Sequence, residues 1–146
     1  MDLEPKIYPY STSLEWTDEH KGILSCEGKP DIGVACPPEW GGHPGIWSPE
    51  DLFVASIEVC TMTTFLFLLE KYTGSLVSYR SRATGTAQMV NGVFVFKDVT
   101  VEAAVGVAAP EDVEKATRAF TEIAEWCLVT KTVKCQVRVE PHIFVA

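Results

Sequence analysis

Two cysteines stand where sulfur chemistry is possible. Cys60 lies midway along the apolar run SPEDLFVASIEVCTMTTFLFLLEK (Ser48 to Lys71), and Cys127 closes PEDVEKATRAFTEIAEWC. In the first run Phe53, Ile57, Cys60, Thr64 and Phe67 recur every three or four residues. Val113, Ala116, Phe120, Ile123 and Cys127 do the same in the second. Each run therefore predicts a helix with a cysteine on its packing stripe. If the stripes face each other the two thiols can approach, and a disulfide needs Cα atoms within about 4.4–6.8 Å. Spacing alone leaves a plainer reading open, in which both sulfurs fill core space, because cysteine is among the most buried residue types.

The other reactive residues carry weaker patterns. Cys135 sits on the apolar face of an alternating segment, Cys26 near a strand end, and Cys36 just before Pro37-Pro38. Five cysteines, an odd number without a C-x-x-C pair, do not make a disulfide framework or a zinc site, and a reducing cytoplasm fits best. His43 in GGHPG has no second histidine at ligand spacing and reads as a surface residue. The same glycines do not follow a strand and open a helix as a phosphate cradle requires, and no G-x-S-x-G is present. Arg80 and Arg82 share one face of an alternating strand and are expected to face water, as is the acidic group Glu111, Asp112 and Glu114.

The elements that must position these residues are legible in outline. Residues 6–17, with Ile7, Tyr8, Tyr10, Leu14 and Trp16, read as a strand. ILSCEG and DIGVACPP follow after Gly/Pro breaks, and PPEWGGHPGIW must be a loop. Ser48, Pro49 and Asp51 are a helix start, and that helix should run to about Tyr72 and stop at Gly74. Alternating segments Leu76–Val90 and Val93–Val107 flank Asn91-Gly92, the strongest short-range hairpin signal. Pro110 opens a second helix that reaches about Cys127. A last strand from Thr132 to Val145 turns Val133, Cys135, Val137, Val139 and Ile143 to one face. The order predicts a single α+β domain over residues 1–146, with antiparallel sheet packed on two main helices.

Composition narrows the partners. The net charge of −8 and the lack of a basic run remove the phosphate attraction that drives nucleic-acid binding, and no anionic membrane partner is expected. The first twenty residues do not read as a secretory signal, and the longest apolar run, Met62 to Leu69, is far short of the ~20 residues a bilayer needs. An apolar fraction of 47% is high for so small a soluble domain and predicts a buried dimer interface.

The stretch from Pro37 to Cys60 resembles the OsmC/Ohr family (osmotically inducible protein C and organic hydroperoxide resistance protein). The shared features are a P-x-E-x-G-G loop, here Pro37 to Gly42, and a Ser-Pro-Glu helix opening with a cysteine ten residues after the glutamate. The second cysteine, in AEWCLVTKTV, precedes the last strand. The order of elements matches too, so the resemblance covers nearly the whole chain. It implies an intertwined homodimer and a thiol-dependent peroxidase that reduces organic hydroperoxides in oxidative-stress defence. No metal or organic cofactor would be needed, and a dithiol, lipoyl-type or other, would act as reductant. By the same resemblance Cys60 is the peroxidatic cysteine and Cys127 the resolving one. Cys60 would become a sulfenic acid and then a disulfide.

Glu50 matches the family glutamate that orients an arginine beside the reactive cysteine, although a helix N-terminal charge is an equal explanation. Ten residues of helix separate Glu50 from Cys60, about 15 Å along the axis, so a bridging side chain or a second subunit is needed to join them in one site. The chain departs from the family in having no arginine before Arg80. Without a guanidinium, apolar surroundings raise a thiol's pKa. Lys21, Lys29, His20 and His43 are the replacements at hand, and none forms the same fork. Two other readings stay open: a catalytically weak or inactive dimer that binds an apolar small molecule, and a thioesterase-like dimer acting through a carboxylate. The second is disfavoured because such folds need no cysteine pair.

Overall fold

A computed structural model describes residues 4–146. The chain forms two compact units, up to Leu52 and from Phe53 to Ala146, with the boundary inside one continuous helix. The first unit holds β1 (Ser13–Asp18), β2 (Lys21–Ser25) and β3 (Ile32–Ala35) in an antiparallel sheet of that order. The strand expected over residues 6–17 begins only at Ser13, and Ile7, Tyr8 and Tyr10 are exposed. The Pro/Gly-rich loop contains one 3-10 turn, Pro38–Trp40. It closes through Gly42, whose amide donates to Pro37 O at 3.0 Å. A Cβ at Gly42 would lie 1.6 Å from Cys36 O, so only glycine permits that closure.

The long helix α1 (Pro49–Lys71) starts on a reciprocal cap. Asp51 N donates to Ser48 Oγ at 3.1 Å, and Ser48 N donates to Asp51 Oδ2 at 2.9 Å. It ends in a Schellman motif: Thr73 takes the left-handed position at φ 56°, its amide donates to Glu70 O, and Gly74 N donates to Leu69 O. The left-handed residue is thus Thr73. Gly74 is small because its missing side chain would collide with Leu69.

In the second unit β4 (Leu76–Val90) and β5 (Val93–Val107) form the expected hairpin, with Asn91 and Gly92 both at positive φ as a type I′ turn requires. Helix α2 (Pro110–Trp126), a five-residue helix α3 (Leu128–Thr132) and β6 (Gln136–Val145) follow. β6 pairs with β5 in parallel, so this sheet is mixed, not wholly antiparallel. The cause is connectivity: α2 and α3 carry the chain back along the sheet, and the returning strand runs the same way as β5. The last strand also begins later than Thr132, because residues 128–132 wind into α3.

Strand β5 is the spine of this unit, with Val99, Val101, Ala103, Val105 and Val107 all buried. Phe65, Leu68 and Leu69 of α1 and Ala116, Ala119, Ile123 and Cys127 cluster with its C-terminal half. Ile57 clusters with Val99 and Val101. The buried stripe of α1 is therefore Ile57, Thr61, Phe65 and Leu68, and Phe67 projects outward against Trp126. Asp112 is also buried, not solvated. Its carboxylate accepts from Ala109 N at 3.2 Å and Ser75 N at 3.3 Å and pairs with Lys115 at 3.4 Å. By length and composition alone α1 could cross a membrane. Only one stripe of it, packed against β5 and α2, is buried in the core.

Candidate functional site

Each sulfur is placed by the end or flank of a core helix. Cys60 stands beside the buried stripe of α1 and packs against the core that contains Cys127. Cys127 is the joint between α2 and α3: its amide donates to Ile123 O at 2.8 Å, and its own carbonyl accepts from Lys131 N at 3.0 Å. Its side chain is fully buried, whereas that of Cys60 is half-buried. Cys127 Sγ lies 2.9 Å from Cys60 Sγ, within hydrogen-bond reach and longer than the ~2.03–2.05 Å of a disulfide. Both cysteines are free thiols. The two sulfurs meet where the flank of α1, beside its buried stripe, packs against the C-terminal end of α2.

The surroundings set which sulfur holds a proton. Burial pushes the Cys60 thiol up, and Cys127 beside it pushes in the same direction, against a hydrogen bond from the Val129 backbone. Burial also works to raise Cys127. The neighbouring Cys60, Thr130 and Thr64 outweigh it, so this thiol moves down. Because the two sulfurs touch, their protons come off as a pair and not as two independent thiols. The leading influences on both sulfurs are burial, each other, Thr64, Val129 and Thr130, with no lysine, arginine or histidine among them.

The remaining site expectations fall elsewhere. Glu50 lies in the first turn of α1, with Oε2 buried and without a partner. In the first unit Lys21 pairs with Asp18 at 3.3 Å, His43 Nε2 is 3.3 Å from Glu19, and His20 Nδ1 contacts Gly41 O at 3.1 Å. His43, expected at the surface, has its Nε2 buried. Arg80 and Arg82 do face water. The α3 turn and Thr130 were not legible beforehand. Threonines three residues after Cys127 and four after Cys60, at helical spacing, are the sequence signal that points to them.

A model of the OsmC-like protein family matches residues 42–142, a span that includes Glu50, Cys60 and Cys127. The chain belongs to the OsmC-like family. Its fold is shared with an OsmC-like protein of unknown function from Vibrio cholerae, at 18% identity and a TM-score of 0.85 over 93% of this chain and 100% of that one. An organic hydroperoxide resistance protein from Elizabethkingia anophelis is similar at 17% identity, TM-score 0.74, with 98% and 100% covered. One from Legionella pneumophila gives 18%, 0.73, 97% and 100%. No curated protein sequence matches the chain. Within this OsmC-like fold, the second unit alone brings two free sulfurs into contact.

Proposed function

We propose that this OsmC-like protein reduces organic hydroperoxides through Cys60 and Cys127. The observation that carries the reading is the 2.9 Å separation of two free sulfurs, one half-buried and one fully buried. Cys60 is the sulfur a peroxide can reach. It loses its proton to solvent and attacks the terminal oxygen of R–O–OH as the thiolate. The O–O bond breaks, Cys60 becomes a sulfenic acid, and the leaving alkoxide takes a proton to give the alcohol. Cys127 then attacks the Cys60 sulfur, and the displaced hydroxide leaves as water once protonated. The sum is one hydroperoxide and two thiols converted to alcohol, water and a disulfide, which a dithiol reductant reopens by exchange.

An apolar pocket of about 300 Å³ in the same unit, lined by Phe53, Val95, Phe96, Val133, Lys134 and Cys135, supports an alkyl substrate. Phe53 is two helical turns from Cys60 on α1, about 10 Å along the axis, which is within the length of a short acyl chain. A homodimer accounts for the rest of α1. A helix apolar on all sides is normally covered on all sides, yet Val59 and Phe67 are more than half exposed, beside exposed Trp126 and Leu128. In that dimer Glu50, with its unpartnered carboxylate oxygen, is available to a donor from the second copy. Free thiols suit a reducing compartment such as the cytoplasm.

The test is turnover of cumene hydroperoxide by purified protein with a dithiol reductant. Consumption that vanishes in Cys60→Ser supports the reading. No turnover, or turnover unchanged by Cys60→Ser, sinks it and leaves the apolar-ligand alternative.

A further inference from the structure

Building on that dithiol reading, the way the threonine hydroxyls of this chain are used reveals a further role. The helices contain seven threonines. Thr61, Thr117, Thr121 and Thr132 each donate to the carbonyl four residues back, to Ile57, Val113, Thr117 and Leu128, at 2.8–2.9 Å. Thr63 donates to Cys60 O at 3.2 Å. This is the ordinary fate of a helical hydroxyl, which returns to its own backbone. Thr64 and Thr130 are the two that do not. Thr64 Oγ1 turns to Cys60 Sγ, 3.9 Å away. Thr130 Oγ1 is buried with no hydrogen-bond partner in place, although it neighbours the Cys127 sulfur. A buried hydroxyl left unpaired calls for an explanation, and a hydroxyl is a free rotor that can swing its hydrogen onto an anion when one forms.

We propose that Thr64 and Thr130 are positioning residues of the dithiol: their hydroxyls, one from α1 and one from α3, hold the negative charge on the sulfur pair. Around that pair α1 contributes Cys60 and Thr64, α2 and α3 contribute Cys127, Val129 and Thr130, and no charged side chain is among the leading influences. Two neutral donors at a water-poor site are a substitute for a cation, since hydrogen bonds to ionised groups are about twice as strong as neutral ones. Thr64 Oγ1 lies 3.9 Å from the Cys60 sulfur, and the unpaired Thr130 hydroxyl stands three residues beyond Cys127.

The experiment titrates against pH the thiolate ultraviolet absorbance of reduced full-length protein in which Cys26, Cys36 and Cys135, the other free thiols, are replaced by serine, and it needs no peroxide. Thr130→Val and Thr64→Val keep the shape and remove the donor. Each should lower the thiolate population at a fixed pH below the midpoint about tenfold, the worth of a hydrogen bond to a charged group. Thr130→Ser and Thr64→Ser should restore it. Valine variants that titrate like the parent, or serine variants that titrate like valine, overturn the proposal. Circular dichroism and urea midpoints identify any valine variant that fails to fold, and the corresponding alanine variant then takes its place under the same criteria. Failure of the dithiol reading is a separate outcome, namely parent protein that loses no hydrogens when treated with hydroperoxide.

Discussion

Treating the reduced protein with one equivalent of cumene hydroperoxide should join Cys60 to Cys127 and thereby close a loop of 67 residues. The expected gain in stability follows from loop length. In the chain-entropy treatment a 15-residue loop is worth about 3 kcal/mol and a 100-residue loop about 4.7, which puts this one at about 4.4. The native state has little to give back, because the sulfurs already touch and must approach by only about 0.9 Å to reach bonding distance. Urea unfolding of oxidised and reduced protein at one concentration measures the difference, and the melting temperature should rise by roughly 10 °C or more. Intact mass should fall by two hydrogens in the parent and not in Cys127→Ser. An oxidised protein that carries the bond and is no more stable than the reduced form would mean the sulfurs are drawn together against the fold. That result would refute the placement on which the reasoning rests.

Other expectations are independent of that bond. Because burial and Cys127 both raise the Cys60 thiol, its alkylation by iodoacetamide should still be climbing at pH values where an ordinary cysteine has levelled off. The curve should move to lower pH in Cys127→Ala, which removes one of the two causes. Phe65→Ala removes a fully buried ring stacked on Phe120 at 4.3 Å and should cost about 3–5 kcal/mol by urea unfolding. Asp112→Ala strips the acceptor from two backbone amides and should cost about 1–2 kcal/mol, with exposed Glu114→Ala within about 0.5 kcal/mol of the parent. Gly42→Ala cannot keep the loop closed at Cys36 O, and the amide of His43 should lose its protection from hydrogen exchange.

What the sequence made legible is what local chemistry dictates. Ser48, Pro49 and Asp51 mark the start of α1, and Asn91-Gly92 marks the hairpin, because caps and turns depend on a few adjacent residues. The direction of β6 escaped because parallel pairing is decided by where α2 and α3 return the chain. Asp112 was misplaced because its second amide comes from Ser75, distant in sequence. In α1 the periodicity singled out Phe67 where the core takes Phe65: a helix apolar on all sides gives no single stripe for spacing to find. For the same reason spacing put each cysteine on a stripe but could not tell which stripes meet. That meeting is a tertiary fact, and so is the pair of hydroxyls beside it.

The location of Cys127 at a joint between two helices has a mechanical consequence. A residue inside a helix is held from both sides by the ladder of backbone bonds, and shifting it strains the whole rod. A residue at an elbow can pivot by rotating the short arm beyond it, here the five residues of α3, while the longer arm and the sheet stay where they are. Moving the Cys127 sulfur at such an elbow asks for a small local swing of the short arm and leaves the scaffold around it in place.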